Sequence, residues 1–96
     1  MPSYVILGNW TSDGIRSIRQ APARAEAFRK TVEAGGGRVI SLLYTMGAHD
    51  FVTLVEFPSD EAANTAVLRA ASQGSARTTT LKGWSPEEFS RLVAKL

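Results

Sequence analysis

Two β-rich runs separated by a short glycine-containing segment constrain this chain more than any other feature. Val39-Ile40-Ser41-Leu42-Leu43-Tyr44-Thr45 and Phe51-Val52-Thr53-Leu54-Val55-Glu56-Phe57 flank Gly47-Ala48-His49-Asp50. β-Branched and aromatic side chains fit a pleated surface, and so short a connection joins antiparallel neighbours. The pair predicts a central hairpin.

The flanking segments supply the other elements. Tyr4-Val5-Ile6-Leu7, continuing to Asn9 and Trp10, reads as a first strand, and Thr11-Ser12-Asp13-Gly14 breaks it with turn chemistry. Ile15–Arg19 is compatible with one helical turn. Pro22 then restarts the chain as an early helix residue, and Ala25, Phe28 and Val32 recur at helical spacing until Gly35-Gly36-Gly37. After the hairpin, Pro58-Ser59-Asp60-Glu61 opens a second helix with Ser59 or Asp60 as cap. Its stripe of Ala63, Ala66, Val67, Ala70 and Ala71 is small enough to pack closely on a sheet. Gly74 stops it, and Arg77-Thr78-Thr79-Thr80-Leu81 predicts a fourth strand. Ser85-Pro86-Glu87-Glu88 is a capping box with proline at the first helical position, followed by Phe89, Leu92, Val93 and Leu96 at helical spacing.

Read in order, the elements are βαββαβ plus a C-terminal helix, an α+β chain of ferredoxin-like plan. The split βαβ units interleave into an antiparallel sheet ordered 4-1-3-2, with the helices on one face. At 96 residues the whole span, 1–96, reads as a single domain.

Strands with one buried face should alternate apolar and polar residues. Here Tyr4-Val5-Ile6-Leu7 and Val39–Tyr44 barely alternate. In the third strand Phe51, Val55 and Phe57 take one face while Val52 and Leu54 take the other. Both faces of the sheet are therefore expected to be largely apolar. Helices cover one, so either the tail helix or a second subunit must cover the other; a homo-oligomer is the expected arrangement.

Composition removes several chemistries. With no cysteine there is no thiolate nucleophile or disulfide framework, and with a single histidine as well neither a zinc or iron site nor a cofactor is expected. No Gly-rich phosphate loop follows a strand. The topology is shared with RNA-recognition domains, but strand three lacks their basic-Gly-aromatic signature, which argues against nucleic acid. No apolar run reaches membrane-spanning length, and the start lacks the pattern of a secretory leader, so the expected compartment is the cytoplasm. Net charge is +2. The basic cluster Arg16, Arg19, Arg24, Arg29 and Lys30, opposed by Asp13, Glu26 and Glu33, would suit an anion or a nucleic acid, and the favoured reading is a solvated helix face.

The topology gathers chemistry on one rim, where the first two strands end and the last two begin. Asn9, Trp10, Tyr44, Thr45, His49, Asp50 and Arg77 fall there. Asn9, Trp10, Tyr44, His49, Asp50 and Arg77 are the expected ligand-binding residues for a small organic molecule. His49 is the best catalytic candidate, because imidazole titrates near neutrality. Adjacent residues point to opposite faces, so Asp50 is not expected to hold the His49 ring, and turn chemistry favours a structural role for both. Arg77 could bind an anion bidentately or pair with Asp50.

The chain resembles the GYD domain family over essentially its whole length. The resemblance lies in Tyr4-Val5-Ile6-Leu7 with Asn9-Trp10-Thr11, Gly14-Ile15-Arg16, Thr45-Met46-Gly47, Asp50, Glu56 before Pro58, Arg77-Thr78 and Glu87-Glu88-Phe89. The family's Gly-Tyr-Asp tripeptide stands here as Ala48-His49-Asp50, sharing the aspartate. What the resemblance implies is a ferredoxin-like domain paired as a dimeric α/β barrel, a class that includes cofactor-free monooxygenases, isomerases and haem enzymes. The leading expectation is an oligomeric protein that binds a small organic molecule in a pocket at the rim of the sheet; the alternatives are a cofactor-independent enzyme using His49 and a purely structural or interaction module.

Overall fold

Strand β1 (Ser3–Trp10) lies inside the sheet, with Tyr4, Ile6 and Gly8 buried and the intervening residues less so. The alternation invisible in its apolar letters is thus present in its burial. A computed structural model describes residues 1–96. The other strands are β2 (Arg38–Tyr44), β3 (Phe51–Glu56) and β4 (Ala76–Gly83). They form a four-stranded antiparallel sheet in the order β2-β3-β1-β4, the expected 4-1-3-2 arrangement. Tyr4 sits opposite Val55 and Lys82, and the β2–β3 register shifts between Val39 and Ser41.

Helix α1 (Ser12–Arg16) and a 3-10 turn over Ile18–Gln20 precede α2 (Ala21–Ala34). The segment read as a turn at Thr11–Gly14 is the start of α1, with the Thr11 hydroxyl accepting the Gly14 N–H at 3.1 Å. The same residue types serve turns and N-caps, so their letters leave the two undecided. Helix α2 ends in the glycine triplet, where Gly36 takes φ +83°. Helix α3 (Asp60–Ala71) is capped by Ser59, which accepts from Ala62 N at 3.1 Å. Helix α4 (Pro86–Val93) begins in the expected capping box: Glu88 N donates to Ser85 Oγ at 3.1 Å and Ser85 N to Glu88 Oε1 at 2.9 Å.

The core lies between the sheet and helices α2 and α3. It comprises Tyr4, Ile6, Val32, Val55, Phe57, Ala63 and Ala66, with Phe28, Val39, Ala62 and Val67 packed against it. Phe57 is fully buried and meets Tyr4 edge to face at 6.1 Å. Burying such a side chain contributes about 2–3 kcal/mol.

The opposite face of the sheet has no cover from the chain itself. Register and pleat place Val5, Leu7, Val52, Leu54, Leu43 and Leu81 on it. Leu43 is 62% exposed and Leu81 47%. Helix α4 does not bury its stripe there, because Phe89, Leu92 and Val93 are exposed as well.

Candidate functional site

The rim where β1 and β2 end and β3 and β4 begin carries the expected residues, and the pleat divides them. Trp10 and Tyr44 point to the helix side; Asn9 and Arg77, directly opposite one another in the β1–β4 register, belong to the open side.

On the open side the Asn9 amide organises the turn. Its Nδ2 donates to the Ala48 carbonyl at 2.9 Å, which turns Oδ1 toward His49 Nδ1 at 3.1 Å. With an oxygen facing it, Nδ1 is placed to donate, and Nε2 has no protein partner. Thr45 closes the loop, its hydroxyl donating to the His49 carbonyl at 2.6 Å. Asp50 points elsewhere: its Oδ2 accepts the Trp10 backbone N–H at 2.8 Å. It pairs with neither His49 nor Arg77, and Arg77 is exposed.

On the helix side a cleft of about 640 Å³ opens between the sheet and helices α2 and α3. Its apolar wall is built from Trp10, Phe28, Leu42, Tyr44 and Phe51. Trp10 and Tyr44 stack at 6.3 Å with 28° between planes, and Trp10 meets Phe51 at 5.1 Å. Phe51 lies flat over Gly8, where an added Cβ would stand 2.0 Å from its ring. Only glycine admits the ring there.

Arg24 reaches into this aromatic group. Its guanidinium sits 5.1 Å from the Trp10 ring centroid, a cation–π arrangement. Nη1 donates to the Ser17 carbonyl at 3.0 Å and hydroxyl at 3.1 Å, and Nη2 to the Gly14 carbonyl at 3.2 Å. Nε is buried without a partner. The charge pattern places Arg24 on a solvated face with Arg29, and Arg29 does behave that way, pairing with Glu26 and with Glu33. Arg24 differs because it lies one helical turn before Phe28 and two before Val32, on the stripe that faces the sheet. That spacing is the signal that could have found it.

No group of three metal-ligating side chains comes together, and no helix is long and apolar enough to cross a membrane.

Comparison with known proteins agrees with this architecture. The GYD domain family is matched over residues 4–93. A Thermus thermophilus protein named glutamine synthetase and cystathionine beta-lyase binding protein is 32% identical over 83 residues, spanning 85% of this chain and 87% of its own. Among solved structures, one of a protein from Thermus thermophilus superposes with a TM-score of 0.58 at 20% identity, covering 88% of this chain and 95% of the other. The crystal structure of MtbAldR gives 0.60 at 18% identity; 88% of this chain corresponds there to 58% of a longer one. At those identities the two structures establish the shared fold.

Proposed function

Because the chain belongs to the GYD domain family, and the relative just described is named for binding two enzymes, we propose that it is an oligomeric interaction module that docks onto a metabolic enzyme. The observation that carries this reading is the aliphatic sheet face away from α2 and α3, where Leu43 and Leu81 are exposed and Val5, Leu7, Val52 and Leu54 between them are half-buried. A soluble monomer rarely exposes so continuous an apolar surface. A second copy facing it sheet to sheet would cover it, and the amphipathic α4, with Phe89, Leu92 and Val93 exposed, would remain to grip the enzyme.

Light scattering on the purified protein tests the assembly: a multiple of 10.4 kDa is expected, and a mass of 10.4 kDa ends it. Surface binding to purified glutamine synthetase and cystathionine beta-lyase from the same organism tests the docking. If neither enzyme binds, that half of the proposal fails. Loss of binding in a Phe89→Asp, Leu92→Asp variant of unchanged mass would assign it to α4.

The cleft supports a second reading, a site for a small organic molecule. Its volume falls in the ordinary range for ligand pockets, and its aromatic wall meets a few convergent polar groups. This favours binding over catalysis, because His49, the candidate base, stands on the other side of the sheet from the cleft.

A further inference from the structure

We infer that the cleft between the sheet and helices α2 and α3 takes a small organic anion, a carboxylate on a planar or apolar body, with Arg24 and Arg69 receiving its charge. The inference rests on the small-molecule reading above and specifies its chemistry.

The charges lining the cleft do not balance. Arg24 and Arg69 face Asp13 alone, and Asp13 is already held by Arg16 at 2.6 Å. Arg24 spends both terminal nitrogens on neutral oxygens, those of Ser17 and Gly14, and meets no carboxylate. The guanidinium of Arg69 has no protein partner at all. A concave, partly apolar space concentrates the field of such charges, so anions are drawn in and cations turned away.

The arrangement is also preorganised. Arg24 is fixed from two sides, by the indole of Trp10 beneath it and by the backbone carbonyls beside it. Little side-chain freedom is left to lose on binding. Its buried Nε–H has no acceptor, and native proteins leave few such donors unpaired. An entering oxygen beside Arg24 would relieve that deficit with a small shift of the guanidinium. Phe28, Leu42, Tyr44 and Phe51 provide the apolar wall for the body of the ligand. A planar body matches this aromatic lining best.

The chain contains two tryptophans, so Trp84→Phe leaves Trp10 as the sole indole reporter inside the cleft. Titrating this single-tryptophan protein with phenylacetate should change Trp10 emission saturably and raise the melting temperature. Phenylacetamide, the uncharged isostere, should bind at least about tenfold more weakly, the margin of one charge-assisted contact. Arg24→Gln should lose the phenylacetate response. Arg69→Gln should weaken it, and this exposed residue makes no side-chain bond on which folding depends. Equal binding of acid and amide would overturn the anion inference while leaving the small-molecule reading standing. Absence of a saturable response to either probe would overturn both. Phenylacetate affinity unchanged in both arginine variants would remove the charge from Arg24 and Arg69 and overturn the inference.

Discussion

The Asp50 carboxylate accepts the backbone N–H of Trp10 at 2.8 Å, and this one bond joins the turn to the cleft. The β1–β3 register ends at Gly8 opposite Phe51, so Trp10 lies beyond the last residue of β3 that could serve its N–H. Asp50 supplies the missing acceptor from its side chain. Its own backbone is engaged too, N–H to the Gly8 carbonyl and C=O to the Thr45 N–H, both at 2.8 Å. The aspartate shared with the family tripeptide is thus a clasp between β1, β2 and β3.

Replacing that acceptor should be costly. Asp50→Ala leaves the Trp10 N–H without its charged partner and is expected to lower stability by about 1–3 kcal/mol in denaturant unfolding. Asp50→Asn keeps a side-chain oxygen and should lose less. In both variants Trp10 emission should shift, because the strand end that carries the indole is released. If Asp50→Ala unfolds with the midpoint of the parent, the bond is not structural.

Gly8 and Phe51 make a second testable pair. An alanine methyl at position 8 would stand 2.0 Å from Phe51 Cζ, so the ring must leave or the strand must move. Gly8→Ala is expected to cost about 1–3 kcal/mol, the usual range for overpacking. A double variant with Phe51→Leu should cost clearly less than the sum of the two single changes, since the smaller side chain vacates the collision. Strict additivity in this cycle would contradict the packing.

Local chemistry explains which features are legible in the sequence. The hairpin, the Ser59 cap and the Ser85–Glu88 capping box are each decided within a few residues, and each is present. The faces of β1 are harder to read, because Tyr4-Val5-Ile6-Leu7 is apolar throughout. Which parity turns inward is settled only by α2 and α3, far along the chain. The rim is legible as a set of strand ends, yet its residues divide between two faces. Asn9 and His49 meet on one side and Trp10 and Tyr44 on the other, as the pleat requires. Arg24 is hidden for a different reason. Its neighbours in sequence are ordinary surface charges that mask its spacing to Phe28 and Val32, and the indole it meets comes from another element, β1.

The Tyr4–Asp60–Lys82 group should mark the pH limits of stability. Tyr4 Oη donates to Asp60 Oδ1 at 2.5 Å, and Lys82 Nζ lies 3.0 Å from the same oxygen. Burial, with the hydrogen bond to Asp60, pushes the Tyr4 phenol up to about 12. A raised folded value contributes stability that is complete below the ordinary 10.0 and is lost as pH rises through about 12. Asp60 is shifted the other way, chiefly by the Tyr4 hydrogen bond and then by Lys82. Its contribution is present above the ordinary 3.8 and is lost as pH falls through its lower folded value. Subtracting the unfolding free energy of Tyr4→Phe from that of the parent should therefore give a difference that declines above pH 10.0. Asp60→Asn should flatten the acid limb. A Tyr4→Phe difference constant across the alkaline range would contradict the assignment.

The open sheet face gives the sharpest separation between folding and assembly. Leu43 and Leu81 lie near opposite edges of that face, on β2 and β4, and neither is buried within its own chain. Converting both to lysine removes no core contact, so each protomer should lose at most about 0.5 kcal/mol per site. At a sheet-to-sheet interface the same change would place ammonium groups in an apolar contact, where an unpaired charge costs several kcal/mol. The double variant should therefore scatter light as a 10.4 kDa species with unaltered circular dichroism, while the parent remains larger. Its melting temperature should also lose any dependence on protein concentration, because an assembly is stabilised by mass action and a monomer is not. If parent and lysine variant share a mass above 10.4 kDa, the proposed assembly uses another surface, and α4, with its exposed Phe89, Leu92 and Val93, is the next apolar face to test; if both are 10.4 kDa, the assembly proposal itself fails.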